Sequence, residues 1–234
     1  MADIYATIDG GTPSGSEQSL AGEMGNLLLI VSHQLQDEFA VNWPPSKMLP
    51  YVNMALLEIA NLAPEASPEE RVVTLSAGTR QELSHTTTLS LMSAICNVTG
   101  TTDVIGQTVT TVKKSALDHM LPGWMTFPQG ESVSYIAKDE QNPLVFHVFP
   151  PVAAASKVKV LVSAPPDEVT ADTTDFPLNK TYIPAFIDYM IYRCIGEETT
   201  IQNSQAKAAA YYNKFLQHLG IKAAVEKSND EKAR

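Results

Sequence analysis

Between Ile183 and Ile195 the apolar side chains fall at 183, 186, 187, 190, 191, 194 and 195. That is a single stripe on a 3.6-residue period, and it predicts an amphipathic helix. Thr181 is placed as its N-cap, and Pro184 falls in the first turn, where a missing N–H does little harm. Gly196, Glu197 and Glu198 interrupt the pattern. A second helix then carries Gln205, Ala208, Ala209, Tyr212, Phe215, Leu216 and Leu219 on one face, with Gly220 as its C′ residue. Stripes this wide need further partners, and the other helical patterns lie at the start of the chain. Leu20, Met24, Leu27, Leu28, Val31 and Leu35 predict a helix ending near Phe39. After Asn42-Trp43-Pro44-Pro45, Ser46 is placed as the cap of another helix with Leu49, Val52, Leu56, Ile59 and Ala60 inward. Pro50 costs this helix a backbone bond if it lies beyond the first turn. Residues 20–62 and 181–220 are therefore expected to form one four-helix bundle.

Between these ends the period changes to two. Six strands are predicted, over 71–77, 89–98, 108–112, 132–136, 144–149 and 157–162, with Gly78-Thr79, Asp139 to Pro143 and Pro150-Pro151 as turns. Ser115 is placed as the cap of a short helix running to Met120, which Pro122-Gly123 ends. The expected fold class is α+β, a helical bundle built from both chain ends with an inserted antiparallel β domain. The expected divisions are a flexible arm over 1–19, the bundle over 20–69 and 166–220, the β-rich domain over 70–165 and a C-terminal tail over 221–234.

Charge sharpens this division. The net charge is −10, and residues 1–70 hold ten acidic side chains against a single lysine, whereas 71–165 are nearly balanced. Nothing resembles the basic stripe that tight binding to nucleic-acid phosphates requires. No apolar run reaches the length of a membrane span, and the N-terminus has no secretory pattern. Cys96 and Cys194 each sit inside an apolar pattern and are expected as buried, reduced thiols.

Catalytic chemistry is sparse. His33, His85, His119, His147 and His218 are scattered without metal-ligand spacing, and neither phosphate-binding glycine motif occurs. His147 is expected on the polar side of a strand or as a satisfied core histidine. Asp118-His119 lacks a serine on a strand-to-helix elbow to complete a triad. Glu197-Glu198 are adjacent on a helix and cannot flank a glycan bond as a hydrolase requires. Tyr211, Tyr212 and Phe215 have the spacing of core filling rather than of base stacking. Catalytic, metal and cofactor sites are expected to be absent, and the residues point to a structural or interaction protein. A ligand-binding β-module with a helical dimerisation domain is a competing reading.

Several stretches, in this order, resemble the head-to-tail adaptor proteins of tailed bacteriophages. They are Leu75 to Leu83; Leu121-Pro122-Gly123-Trp124; Asp139 to Pro143 with Phe146 to Pro151; Val158-Lys159-Val160 with Ser163 to Pro166; and Tyr182 to Ala185, Asp188-Tyr189, Tyr192-Arg193 and Ala208 to Gly220. Ser84 and Gly123 depart from the family's habit at loops. The resemblance implies a non-enzymatic virion protein, assembled in the host cytoplasm, that forms a ring of twelve subunits between the portal and the tail nozzle or tail tube. It further implies that the ring lines part of the channel through which viral DNA passes without specific binding. The alternatives are another neck, tail-tube or completion protein, or a tail hydrolase of cell-wall glycan. An acidic chain without a basic patch suits a conduit along which DNA slides.

Beyond Gly220 the apolar period fails, while Lys222, Ala223, Ala224, Glu226, Lys227, Glu231 and Lys232 are good helix formers. This composition is expected to leave the tail disordered in the free subunit and to order it on contact. The resemblance supplies the portal as its partner. Ile221, Lys222, Val225, Glu226, Lys227, Lys232 and Arg234 are the candidate contact residues.

Overall fold

A computed structural model describes residues 22–100, 104–197 and 204–220. The expected arm over 1–19, the tail over 221–234 and Glu198 lie outside the described residues. The first helix, α1 (Glu23–Gln34), ends earlier than its apolar pattern, which extends toward Phe39. Its end is a Schellman turn: the Gln36 amide donates to the His33 carbonyl and the Asp37 amide to that of Ser32. Gln36 holds φ at 60°, where glycine is usual. Asp37 then turns its carboxylate onto the amides of Val41, Asn42 and Trp43, at 2.9, 3.0 and 2.8 Å. This local side-chain bonding competes with helix and stops it.

The second helix, α2 (Pro45–Leu62), takes Pro44 as its N-cap rather than Ser46. A proline at the first helical position needs no amide partner, so the cap falls one residue before the Pro45 that opens the helix. Pro50 lies inside α2, and the bond it would have donated to Ser46 is lost near the helix end, where water can replace it. Val52, Leu56, Ile59 and Ala60 are buried as the pattern expects, while Leu49 is only partly buried and Met48 takes the inward place beside it.

Among the described residues eight strands follow, two more than the six predicted: β1 (Pro68–Thr74), β2 (Gly78–Glu82), β3 (Ser90–Thr99), β4 (Val104–Thr108), β5 (Thr110–Lys113), β6 (Tyr135–Lys138), β7 (Val145–Val152) and β8 (Lys157–Ser163). They form two four-stranded sheets, ordered β1-β8-β3-β4 and β2-β7-β6-β5. The apolar faces of both sheets meet in one core that includes Leu75, Leu91, Ile136, Phe146, Val148, Val158, Val160 and Val162. A short helix, α3 (Lys114–Met120), follows β5. It begins one residue before Ser115, with Lys113 at its N-cap, and Ser115 instead bonds Glu140.

The strand pairs are antiparallel, as expected, except for one: β5 and β6 run parallel. The chain leaves β4, changes sheet at Val109, and returns to β6 only after α3 and a 3-10 turn at Trp124–Thr126. Such a crossover is what a parallel pair demands. The β-branched run over 108–112, expected as one strand, is therefore divided between the two sheets.

The turn expected at Pro150-Pro151 is also corrected, because β7 continues through both prolines to Val152. They are tolerated there because the β6 ladder has already ended at Phe149 and the β2 register shifts between Gly78 and Arg80. No ladder amide is needed at that point.

The last two helices are α4 (Ile183–Glu197) and α5 (Ser204–His218). Thr181 does not cap α4. Its amide and hydroxyl both donate to Asn179, at 3.0 and 2.9 Å, within a 3-10 turn at Lys180–Tyr182. Gly220 has φ of 70° and donates its amide to Gln217, the C′ role expected of it. Met24, Leu28, Met48, Leu56, Ile59, Phe186, Met190, Ile191 and Phe215 share one apolar cluster, to which all four long helices contribute.

Candidate interaction surfaces

Exposed apolar residues gather where local geometry leaves them no room inward. The Asp37-centred loop turns Phe39 and Val41 outward, at 87% and 76% exposure. Ala40 in this loop has φ of 49°. Two non-glycine residues in the left-handed region within five positions cost about 1 kcal/mol or more each, so the three bonds to Asp37 hold the loop against its own backbone.

A second surface surrounds the turn Leu121–Thr126. Gly123 has φ of 77°, which the turn requires, and it carries Trp124 into the interior. The Trp124 indole donates to Asp118 at 2.8 Å, and Lys114 pairs with the same carboxylate at 3.0 Å. These contacts hold the Asp118 carboxyl below its usual range, chiefly through the indole bond. Asp118 is thus an anchor for Trp124 and is not paired with a nucleophile. Met120, Met125 and Phe127 stand exposed around this anchor.

His147 differs from both expectations for it. It is buried, with the Trp124 ring edge-on at 5.9 Å, and its Nδ1 has no hydrogen-bond partner among the described residues. Burial lowers its pKa. Strand alternation missed this because β7 has neighbours on both faces: sheet core on one, the Trp124 turn on the other.

A third surface joins α2, α4 and α5. Tyr51 donates its hydroxyl to Glu197 and lies 5.3 Å beneath the Arg193 guanidinium. Burial first, and the Glu197 carboxylate second, push the Tyr51 pKa up to about 12. Beside them, a cleft of about 400 Å³ is lined by Tyr192, Arg193, Glu197, Gln205 and Tyr212. Tyr192, Tyr211 and Tyr212 pack against the helical core, the filling role expected of the tyrosines on α5.

Cys96 and Cys194 are both buried, one in the sandwich and one on α4. Among the described residues no group of three or more His, Cys, Asp or Glu is placed to hold a metal, and no helix is long and apolar enough to cross a membrane. The tail residues Ile221, Lys222, Val225, Glu226, Lys227, Lys232 and Arg234 lie outside the described residues.

A protein-family model described as SU10 adaptor protein matches residues 25–233. That span takes in both sheets, α2 to α5 and α1 from Gly25 onward. Comparison with curated proteins gives no match.

Proposed function

The chain belongs to the SU10 adaptor protein family, a family of structural bacteriophage proteins, and from that premise we propose that it forms a ring joining the portal to the tail. The observation that carries this reading is the extent of the family match, which runs through the helices and the sandwich alike. The helices α1, α2, α4 and α5 act as one bundle, and the sandwich acts as a second unit that meets a different neighbour. Several exposed apolar groups on separate elements support a protein with more than one partner: Phe39 with Val41, Met120 with Phe127, and Val104 with Ile105. The ring has twelve copies and lines part of the DNA channel. A net charge of −10 supports passage of DNA without retention, because few cations are available to exchange for its counterions.

Imaging the full chain mixed with its portal protein tests the reading. A ring stacked coaxially beneath the portal is the expected result. A chain that stays monomeric beside unoccupied portals would overturn it.

A further inference from the structure

Two features of the helical half are complementary in shape and in charge. The first is convex. The loop after α1 is held by the turn at Gln36 and by the three amide bonds to Asp37, and it presents Glu38 and Phe39 side by side to solvent. Gln36 and Ala40, on either side of this pair, hold left-handed backbone. Such strain persists only where the surroundings fix it. A loop fixed in this way loses little freedom when it docks.

The second is concave. The cleft between α4 and α5 is opened by small residues, with Gly196 facing Ala208 and Ala209 beside them. A cavity of about 150 Å³ is enough to hold a benzene ring, and this cleft measures about 400 Å³. The Tyr192 and Tyr212 rings, 5.0 Å apart, form one wall. Arg193 supplies a cation. Its guanidinium lies over Tyr51 and reaches the Met54 sulfur at 3.9 Å, and its Nε has no hydrogen-bond partner among the described residues. Neither Tyr51 nor Met54 brings a negative charge to it. Glu197, one turn on, is occupied by the Tyr51 hydroxyl.

We infer that Phe39 of one copy seats in the α4–α5 cleft of a neighbouring copy, against Tyr192 and Tyr212, while Glu38 beside it pairs with Arg193. The inference rests on the ring reading above and names the contact between adjacent subunits. An aromatic anchor in a pocket with one desolvated charge pair is the usual centre of a protein interface. The occupant is a second copy rather than the chain's own loop, because Phe39 is 87% exposed and the bonds to Asp37 keep it there. Loop and cleft also belong to different helix pairs: α1 packs on α2 and α4, while α5 packs on α4. Two different patches of one chain that meet head to tail make a heterologous contact, the kind that closes into a ring.

Charge exchange on the full chain is the test, read by sedimentation velocity over a concentration series. Glu38→Arg and Arg193→Glu should each raise the concentration for half-assembly at least about tenfold, and the double variant should recover most of that loss. Single variants that assemble like the parent, or a double variant no better than the worse single one, overturn the inference. Melting temperatures show whether each variant is folded. A second measurement is independent of Arg193: chains carrying Phe39→Cys are mixed with chains carrying Ala209→Cys, with Val104→Cys replacing Phe39→Cys as an exposed control on the sandwich. A mixed covalent dimer with Phe39→Cys and not with the control supports the inference. No dimer, or an equal yield from the control, overturns it. Glu38→Arg that loses portal binding while its rings form unchanged would assign the loop to the portal, and this inference fails while the ring reading stands. If the parent chain forms no ring at all, the ring reading itself fails.

Discussion

Asp188 on α4 and His218 in the last turn of α5 meet with Oδ2 and Nδ1 2.9 Å apart. Asp188 is buried while His218 is about half exposed, so the carboxylate bears most of the desolvation. Desolvation raises the Asp188 pKa, and the nearby His218 and Lys214 only partly offset it.

The sign of the resulting pH dependence follows from that direction. A carboxyl whose pKa is higher folded than unfolded holds its proton more tightly in the native state. It therefore stabilises below its unfolded pKa, and that contribution is lost as pH rises through the folded value. Asp188→Asn removes the titration while keeping the shape. The melting temperature of the variant minus that of the parent should increase from pH 4 to pH 7, read by thermal denaturation in matched buffers. A difference that falls over this range would mean that attraction to His218 outweighs burial.

Phe186 and Ile187 separate the centre of the helical stripe from its margin. Phe186 is fully buried and meets Phe176 edge-on at 5.4 Å, whereas Ile187 is only partly buried. Phe186→Ala should cost about 3–5 kcal/mol in denaturant unfolding, by the range for truncated core aromatics. Ile187→Ala should cost about 1–2 kcal/mol, since less surface returns to water. Equal costs would place both residues equally deep.

The loop after α1 offers substitutions of opposite sign. Asp37→Ala leaves three amides without their acceptor and should destabilise by roughly 2–3 kcal/mol. It should also speed proteolysis near Phe39. Gln36→Gly relieves a left-handed backbone and should stabilise by about 0.5–1 kcal/mol. Chemical denaturation of the two variants checks both.

Part of the helical half was legible: Phe186, Met190, Ile191 and Cys194 of the α4 stripe are buried, with Ile183, Ile187 and Ile195 partly so at its margin, and Gly220 marks the end of α5. Boundaries were less legible. The Asp37 bonds that end α1 join residues four to six apart, a contact that periodicity does not register. β2 went unread because Gly78-Thr79-Arg80-Gln81-Glu82 is polar and has no alternation; its place depends on pairing with β7, far along the chain. The interaction surfaces were the least legible. Val104 and Ile105 have the composition of core residues, and only the sheet order shows that they stand on an edge.

Asn97 on β3 ties its neighbour β4 to the loop that precedes β6. Its amide nitrogen donates to the carbonyls of Gln107 and Val133, at 3.1 and 2.8 Å, while its oxygen accepts the Val133 amide at 2.8 Å. Asn97→Ala should cost about 2–3 kcal/mol, because it leaves buried groups unpaired. Asn97→Asp should cost more than Asn97→Ala, since a carboxylate repels the two carbonyls to which the amide donates. The order of the two unfolding midpoints is the measurement, and the reverse order would show that the carbonyls find other donors.

The last prediction concerns the chain beyond Gly220. Among the described residues the helical core takes its last contributions from Phe215, Leu216 and Leu219, and Gly220 closes α5 with a bond to Gln217. The helix is thus complete without residues 221–234. Those residues pair a few apolar positions, Ile221 and Val225, with four cations and three acids, and most of them favour helix. We propose that this segment contacts the portal, gaining order there that its own composition cannot supply alone. Truncation after Gly220 should therefore leave circular dichroism and melting temperature within the small scatter of surface changes, about 0.5 kcal/mol. Portal binding, measured by co-sedimentation, should be lost. Undiminished binding by the shortened chain would move the portal contact elsewhere, and Phe39 and Val41, highly exposed in the loop between α1 and α2, are the residues to substitute next.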